Sequence, residues 1–163
     1  MEIVPKLKTL FTVVIAIAVL VGVIGAKPVE AVTFDFNWKG NAGYSAEGSF
    51  SYDETQNTST ITDENLDFLR ISFFDANHKL LKTYVNMENG NEKGINSYLE
   101  FNFNSTTKSL SGAFDVGQGN LTGENDFYLK GVANSNLELR NLDTNVLDSG
   151  SATISVEKAE GSQ

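Results

Sequence analysis

The stretch TFDFNWKGNAGYSAEGSFSYD, residues 33–53, decides the fold class of this chain. In its first arm Phe34, Phe36 and Trp38 alternate with short or charged polar residues, and the second arm alternates in the same way from Tyr44 to Tyr52. A period of two is typical of a β-strand that buries one face. The stretch therefore predicts two half-buried strands joined by a glycine-containing turn, with the tryptophan on the buried face.

The same alternation recurs along the rest of the chain, in segments separated by Asn, Asp, Gly, Ser and Thr clusters that are typical of turns. One segment, Leu66 to Asp75, is apolar on both of its faces, which predicts a central strand covered on both sides. The other alternating segments are Ile95 to Phe103, Leu110 to Val116, Phe127 to Gly131, Leu137 to Leu139 and Ala152 to Val156.

This pattern predicts an all-β fold, an antiparallel β-sandwich of about seven to nine strands, with a β-barrel as the alternative. Residues 32–158 are expected to form one domain, and residues 159–163 a disordered tail. Because both ends of this domain have strand patterns, we expect its first and last strands to pair. The last strand would then lie at a sheet edge, where it offers a template for a second copy.

The N-terminal segment, residues 1–31, predicts a signal peptide that forms an apolar helix. Lys6 and Lys8 precede an apolar run from Leu10 to Ile24, and small residues lead to a cleavage site at Ala31. The alternative is an uncleaved membrane anchor, but the run is short for a spanning helix. We therefore expect a secreted protein, periplasmic or extracellular, with no stable membrane span after cleavage.

Composition excludes several classes of function. The chain has a net charge of −9 and no cysteine, which argues against nucleic acid as a partner and removes thiol chemistry and Cys-ligated metals. Its one histidine, His78, lies in the segment Asp75 to Lys79, whose composition predicts a solvated turn. We therefore expect neither a catalytic constellation nor a cofactor.

Calcium is the one metal for which the sequence offers ligands. Asp63, Asn65 and Asp67 have the alternate spacing of the first ligands in a calcium loop. The sixth and twelfth positions of such a loop are occupied here by Phe68 and Phe74, which excludes an EF-hand. Oxygens from a second loop, at Asp143, Asn145 and Asp148, would be needed to complete a site, and an acidic turn is the simpler interpretation.

Sugar binding is the second possibility, because sugars stack on exposed aromatic rings and form hydrogen bonds with nearby polar groups. Tyr98 and Tyr128 fall on the phase opposite to the apolar residues of their strands and should point outward, beside Glu100 and Asn102. Exposed tyrosines also occur on sheets for their β-propensity alone. A third possibility is hydrolysis by two carboxylates, for example Glu47 with Glu100.

Several blocks of the sequence resemble one group of proteins. The blocks TFDFNWKG and GYSAEGSFSYD (33–40 and 43–53), ISFFD and LLKTY (71–75 and 80–84), and FNFN with Thr107 and Lys108 (from 101) resemble small secreted cyanobacterial β-proteins that usually end in a PEP-CTERM sorting tail. The resemblance implies an exported β-domain associated with the envelope or exopolysaccharide, without catalytic residues. After Val156 the chain reads EKAEGSQ instead of a sorting tail, so we expect release as a soluble protein.

Three functional hypotheses follow. The first is a non-enzymatic structural domain of the envelope or exopolysaccharide matrix, with polysaccharide or envelope components as its partners. The second is a carbohydrate-binding, lectin-like module, and the third is a secreted polysaccharide hydrolase.

Overall fold

The computed structural model describes residues 31–92, 99–117, 126–141, 145–150 and 155–159. The predicted signal peptide, apart from Ala31, lies outside these residues. They contain thirteen β-strands and two single-turn 3₁₀ helices, Glu54–Gln56 and Asp63–Asn65. The strands are β1 (Ala31–Lys39), β2 (Ser45–Asp53), β3 (Thr60–Thr62), β4 (Leu66–Phe74), β5 (Leu80–Glu88), β6 (Asn91–Glu92), β7 (Asn102–Asn104), β8 (Ser109–Leu110), β9 (Gly112–Gly117), β10 (Phe127–Ala133), β11 (Asn136–Asn141), β12 (Val146–Gly150) and β13 (Ser155–Lys158).

The strands form three antiparallel sheets, and the predicted all-β sandwich is confirmed. A six-stranded sheet has the order β13-β1-β2-β4-β5-β6, a four-stranded sheet the order β12-β11-β10-β9, and a small sheet the order β3-β7-β8. The strand number exceeds the predicted seven to nine because β3, β6, β7 and β8 have only two or three residues each. Strand β4 is central as predicted, paired with β2 on one side and β5 on the other. The predicted cover on both faces is wrong, because Leu69, Ile71 and Phe73 are buried whereas Arg70, on the opposite face, is exposed.

The predicted pairing of the first and last strands is also confirmed. In the pairing of β1 with β13, Phe34 lies opposite Lys158 and Phe36 opposite Val156. One further backbone hydrogen bond, from Ala159 N–H to the carbonyl of Thr33, extends this pairing into the first residue of the predicted tail.

One aromatic core lies between the sheets. Phe34, Phe36 and Trp38 of β1 are all at most 3% exposed, as their phase predicts. The ring of Phe36 meets that of Phe114, from the four-stranded sheet, edge to face at 6.0 Å. Gly48 on β2 makes room for the Phe36 ring, since a Cβ at this position would lie 2.1 Å from the ring.

A polar contact joins the two sheets between β5 and β10. The Tyr84 hydroxyl donates to the Asp126 carboxylate at 2.9 Å and accepts the Phe127 N–H at 2.9 Å. The carboxylate also lies 3.8 Å from the ammonium of Lys82. Burial raises the pKa of Tyr84 well above its usual range, although the Phe127 N–H opposes this shift.

A second polar contact joins the sheets at the turn between β1 and β2. The carboxylate of Asp148, on β12, accepts the backbone N–H groups of Ala42, Tyr44 and Ser149 at 2.8, 3.0 and 2.7 Å. Gly40 allows this close approach, because a Cβ there would lie 2.3 Å from the carboxylate. Asp148 is 5% exposed, so these hydrogen bonds form in a site largely shielded from water.

We expect the protein to lose stability above about pH 10, where tyrosine side chains in an unfolded chain ionise. Burial raises the pKa of both Tyr52 and Tyr84 in the folded protein, so the folded state keeps protons that the unfolded state releases. The unfolded state then binds fewer protons, and stability falls with pH, by at most about 1.4 kcal/mol per pH unit for each such tyrosine. Urea unfolding at neutral and alkaline pH measures this loss, and a Tyr84→Phe variant should show a shallower pH dependence. Equal slopes in the two proteins would contradict the role of Tyr84.

Candidate functional site

Three of the residues predicted from sequence to bind sugar lie on or beside the outer face of the four-stranded sheet. Tyr128 points outward on β10 and is half-buried, and Glu100 is exposed and pairs with Asp115 of β9 in an isolated bridge. Asn102 lies at the start of β7, where its amide donates to the carbonyl of Ala113 at 3.3 Å. The structure therefore brings three of the four residues to one side of the domain. Tyr98 lies outside the described residues.

Neighbouring charges on this face bind one another. The ammonium of Lys130 lies 2.6 Å from the Asp115 carboxylate, which raises the pKa of the lysine, while burial raises the pKa of Asp115. Arg140 donates from Nε to the Glu138 carboxylate at 2.8 Å, which raises the pKa of the arginine, and the Tyr128 hydroxyl adds a weaker contribution. Much of the polar bonding capacity beside Tyr128 is thus used within the protein.

A larger feature lies on the outer face of the six-stranded sheet. Here β1, β2, β4 and the turn after β4 form a groove of about 700 Å³, which we call the polar groove. Its floor consists of small residues, and its walls of longer polar and charged ones. The floor residues are Ser45, Gly48, Ser49 and Ser72, and the wall residues are Asp35, Asn37, Lys39, Glu47, Arg70 and His78.

The sequence explains this shape through the strand alternation. The residues of β1 that alternate with its aromatic side chains point outward as Asp35, Asn37 and Lys39. On β2 the outward positions include Ser45, Glu47 and Ser49, so the two serines leave depressions on either side of Glu47. The sequence signal for a groove was therefore the presence of serines at the outward positions of β2, next to the longer outward side chains of β1. The sequence analysis did not use this signal.

Most charged groups of the polar groove have no polar partner within the described residues. Arg70 and Lys39 lie there with neither an ion pair nor a side-chain hydrogen bond. Glu47 lies 4.0 Å from the Nε2 atom of His78, and both side chains are more than half exposed. These side chains are exposed and therefore accessible to a ligand.

His78 is a turn residue, as predicted, and it closes one end of the polar groove. The turn is held by Asp75, whose carboxylate accepts the N–H groups of Asn77 and Lys79, both at 2.9 Å. His78 has a positive φ of 59° and is exposed. Its ring stacks on Phe74 at 4.7 Å.

A smaller pocket of about 360 Å³ lies at the other end of β2, beside the turn between β7 and β8. Its lysine, Lys108, is 4.0 Å from the Glu54 carboxylate and 5.1 Å from the centre of the Phe34 ring. The ammonium is thus already placed between a carboxylate and an aromatic face. The polar groove is larger and has more unpartnered charge, so we take it as the candidate functional site.

The residues predicted as calcium ligands have other contacts. Asp63 and Asn65 lie in a 3₁₀ turn, where the Asn65 side-chain oxygen accepts both the N–H and the hydroxyl of Thr62, at 3.0 and 3.1 Å. Asp67 is the second residue of the central strand β4, where burial and the Asp53 carboxylate raise its pKa. Within the described residues no three His, Asp or Glu side chains are grouped to hold a metal ion.

The second loop considered for calcium lies far from the first. Asp148 bonds the N–H of Tyr44, just before β2, whereas Asn65 donates to Gln56, just after β2. The two loops are therefore at opposite ends of a nine-residue strand and do not share an ion. Asp143 lies outside the described residues.

The carboxylate pair considered for hydrolysis is also separated. Glu47 lies in the polar groove, on the outer face of the six-stranded sheet. Glu100 lies beside Asp115 and Lys130, on the outer side of the other sheet, with the core between them. These two residues therefore do not act on one glycosidic bond.

Comparison with known proteins adds no further assignment. No protein-family model, curated protein or solved structure matches this chain. Among the described residues, no helix has the length and apolar character needed to cross a membrane.

Proposed function

We propose that this chain is an exported, non-enzymatic β-domain of the cell envelope or exopolysaccharide matrix, and that it binds polysaccharide in the polar groove. The proposal combines the first two hypotheses from the sequence, since a matrix domain needs a surface that holds the matrix. The signal-like N terminus and the resemblance to secreted PEP-CTERM-type proteins support the location. The groove supports the mode of binding.

The observation that carries the proposal is the set of unpartnered polar side chains in the groove. Sugar hydroxyls both donate and accept hydrogen bonds, so a binding surface needs groups of both kinds. Asn37, Lys39 and Arg70 supply donors, and Asp35 and Glu47 supply acceptors, in a groove of about 700 Å³. Extended polymers fit such an open groove, because they gain many weak contacts along the chain.

A substitution that fills the floor tests this function. Ser49 points outward between Asp35 on β1 and Arg70 on β4, so a Ser49→Tyr side chain occupies the middle of the groove. We expect saturable polysaccharide binding, measured by affinity electrophoresis or calorimetry on a panel of soluble polymers, to fall at least about tenfold, which corresponds to about 1.4 kcal/mol. Thermal stability should change little, because tyrosine has high β-propensity and the site faces solvent.

Two control variants locate the binding face. Ala113→Tyr adds the same side chain at an exposed position of β9, on the other sheet, and is expected to leave binding unchanged. Tyr128→Ala removes the stacking residue predicted from sequence and should also leave binding unchanged. Loss of binding in Tyr128→Ala but not in Ser49→Tyr would move the site to the four-stranded sheet. If no polymer binds the unaltered protein, the groove proposal is wrong and a purely structural role remains.

A further inference from the structure

We infer that the polar groove selects anionic polysaccharides, and that Arg70 binds their carboxylate or sulfate groups. This inference rests on the proposed function and specifies its ligand. It begins from a contrast between two arginines: Arg140 is bonded to Glu138, whereas Arg70 has no acidic partner within the described residues.

That contrast is informative because acidic groups are abundant in this protein. The chain has 21 acidic and 12 basic residues. Among the described residues, half of the Lys and Arg side chains lie within 4.0 Å of a carboxylate: Lys82, Lys108, Lys130 and Arg140. An exposed guanidinium in a groove, left without such a partner, keeps both of its parallel N–H edges available. Arginine matches the two oxygens of a carboxylate or sulfate in a bidentate arrangement.

A second cation stands at the far corner of the groove. Lys39 lies opposite Ser45 on β2, whereas Arg70 lies opposite Ser49. The two positions are thus two strands apart across the sheet and four residues apart along it, which places their Cα atoms roughly 16 Å apart. This spacing suits a polymer that carries charge on repeated units, and a single small anion does not span it.

The charge of the groove differs from that of the whole protein. Lys39 and Arg70 balance Asp35 and Glu47, and His78 lies beside Glu47, so the groove is close to neutral in a chain of net charge −9. Charges elsewhere on the surface are screened beyond a Debye length of about 8 Å at physiological salt. The local cations of this groove therefore bind the acidic groups of an anionic polymer. Asp35 and Glu47 accept hydrogen bonds from its hydroxyl groups.

The test compares polymers of similar length that differ in charge. Calorimetry is carried out with oligosaccharides of a polyuronate, of a sulfated galactan, and of the same polyuronate after reduction of its carboxyl groups. We expect the anionic oligosaccharides to bind at least about tenfold more tightly than the reduced one at low salt, and to lose this advantage at high salt. The tighter of the two anionic ligands identifies the acidic group that is recognised.

Substitutions of the two arginines complete the test. Arg70→Gln is expected to weaken anionic binding about tenfold and neutral binding little, with Arg70→Lys in between because it keeps charge without the bidentate edge. Arg140→Gln is the matched control on the other sheet and should leave both affinities unchanged. Equal affinity for the polyuronate and its reduced form, or equal effects of Arg70→Gln and Arg140→Gln, would overturn the inference while leaving polysaccharide binding in the groove intact. Absence of binding to all polymers overturns the proposed function as well.

Discussion

Replacing Asp148 by alanine is expected to lower the free energy of unfolding by about 3 kcal/mol, since hydrogen bonds to a charged acceptor contribute about 1.5–3 kcal/mol each and the orphaned donors remain. The substitution removes the acceptor of three backbone N–H groups, two of them in the turn between β1 and β2. It also removes the side-chain contact between β12 and that turn, and leaves the backbone hydrogen bond from Asn41 N–H to the carbonyl of Ser149. Urea unfolding followed by tyrosine and tryptophan fluorescence measures the change as a lower midpoint at unchanged slope.

Two variants separate this role from an ordinary turn cap. Asp75→Ala removes a carboxylate that accepts two N–H groups of its own exposed turn, and should cost about 1 kcal/mol because water replaces the lost acceptor. Asp148→Asn keeps one acceptor oxygen, so its loss in the free energy of unfolding should lie between those of Asp75→Ala and Asp148→Ala. If Asp148→Ala costs no more than Asp75→Ala, the contact between the sheets does not stabilise the sandwich in the way argued.

Replacing Tyr84 by phenylalanine is expected to cost about 2 kcal/mol, the usual penalty for leaving buried polar partners unsatisfied. The ring stays against Phe73, with which it packs edge to face at 6.1 Å. The Asp126 carboxylate, which is 9% exposed, loses its hydroxyl donor, and the Phe127 N–H loses its acceptor. The same urea unfolding experiment measures the loss.

Tyr128→Phe is the control for removal of a hydroxyl group. Its ring lies on the outer face of β10 and is half-buried, so the expected change is less than about 0.5 kcal/mol, as for most surface substitutions. Equal losses in the two variants would show that the hydroxyl of Tyr84 does not act as a bridge between the sheets.

The alternation of side chains predicted several of the strands and their buried faces, but not β5 (Leu80–Glu88) or β12 (Val146–Gly150), for which it named no segment. Phe34, Phe36 and Trp38 lie in the core, and the outward direction of Tyr128 follows from the buried Leu129 beside it. This success has a simple cause, because a strand with one buried face must place its apolar residues at every second position. The short strand β3 lies outside every predicted segment, and β8 was not distinguished from β9, because two or three residues carry too little periodicity. Strand β7 falls at the end of the predicted segment Ile95 to Phe103.

The role of Asp148 was not predictable in the same way. In the sequence it follows an Asn and Asp cluster, which suggested a metal ligand in an exposed loop. In the structure it is buried and bonded to Ala42, a residue 106 positions away. Local composition contains no information on that partner, because it depends on how the two sheets pack.

The polar groove illustrates the same limit at the level of a site. Its residues come from three strands and a turn, and each looks like an ordinary outward polar residue when read along the chain. Arg70 lies beside Ser49, and Glu47 beside Ser72, because of the register in which β2 pairs with β4. This register is not visible in the sequence. The sequence favoured Tyr98 and Tyr128 instead, because a single exposed aromatic residue can be recognised as a possible sugar contact without knowledge of its neighbours in space.

The pairing of β1 with β13 has a kinetic consequence. Phe34 lies opposite Lys158, so the six-stranded sheet cannot be completed until the chain has been made as far as Lys158. Contacts between residues so distant in sequence close slowly, since a long loop must be ordered before its contacts form. The edge of β1 that pairs with β13 therefore stays uncovered during synthesis until β13 has been made.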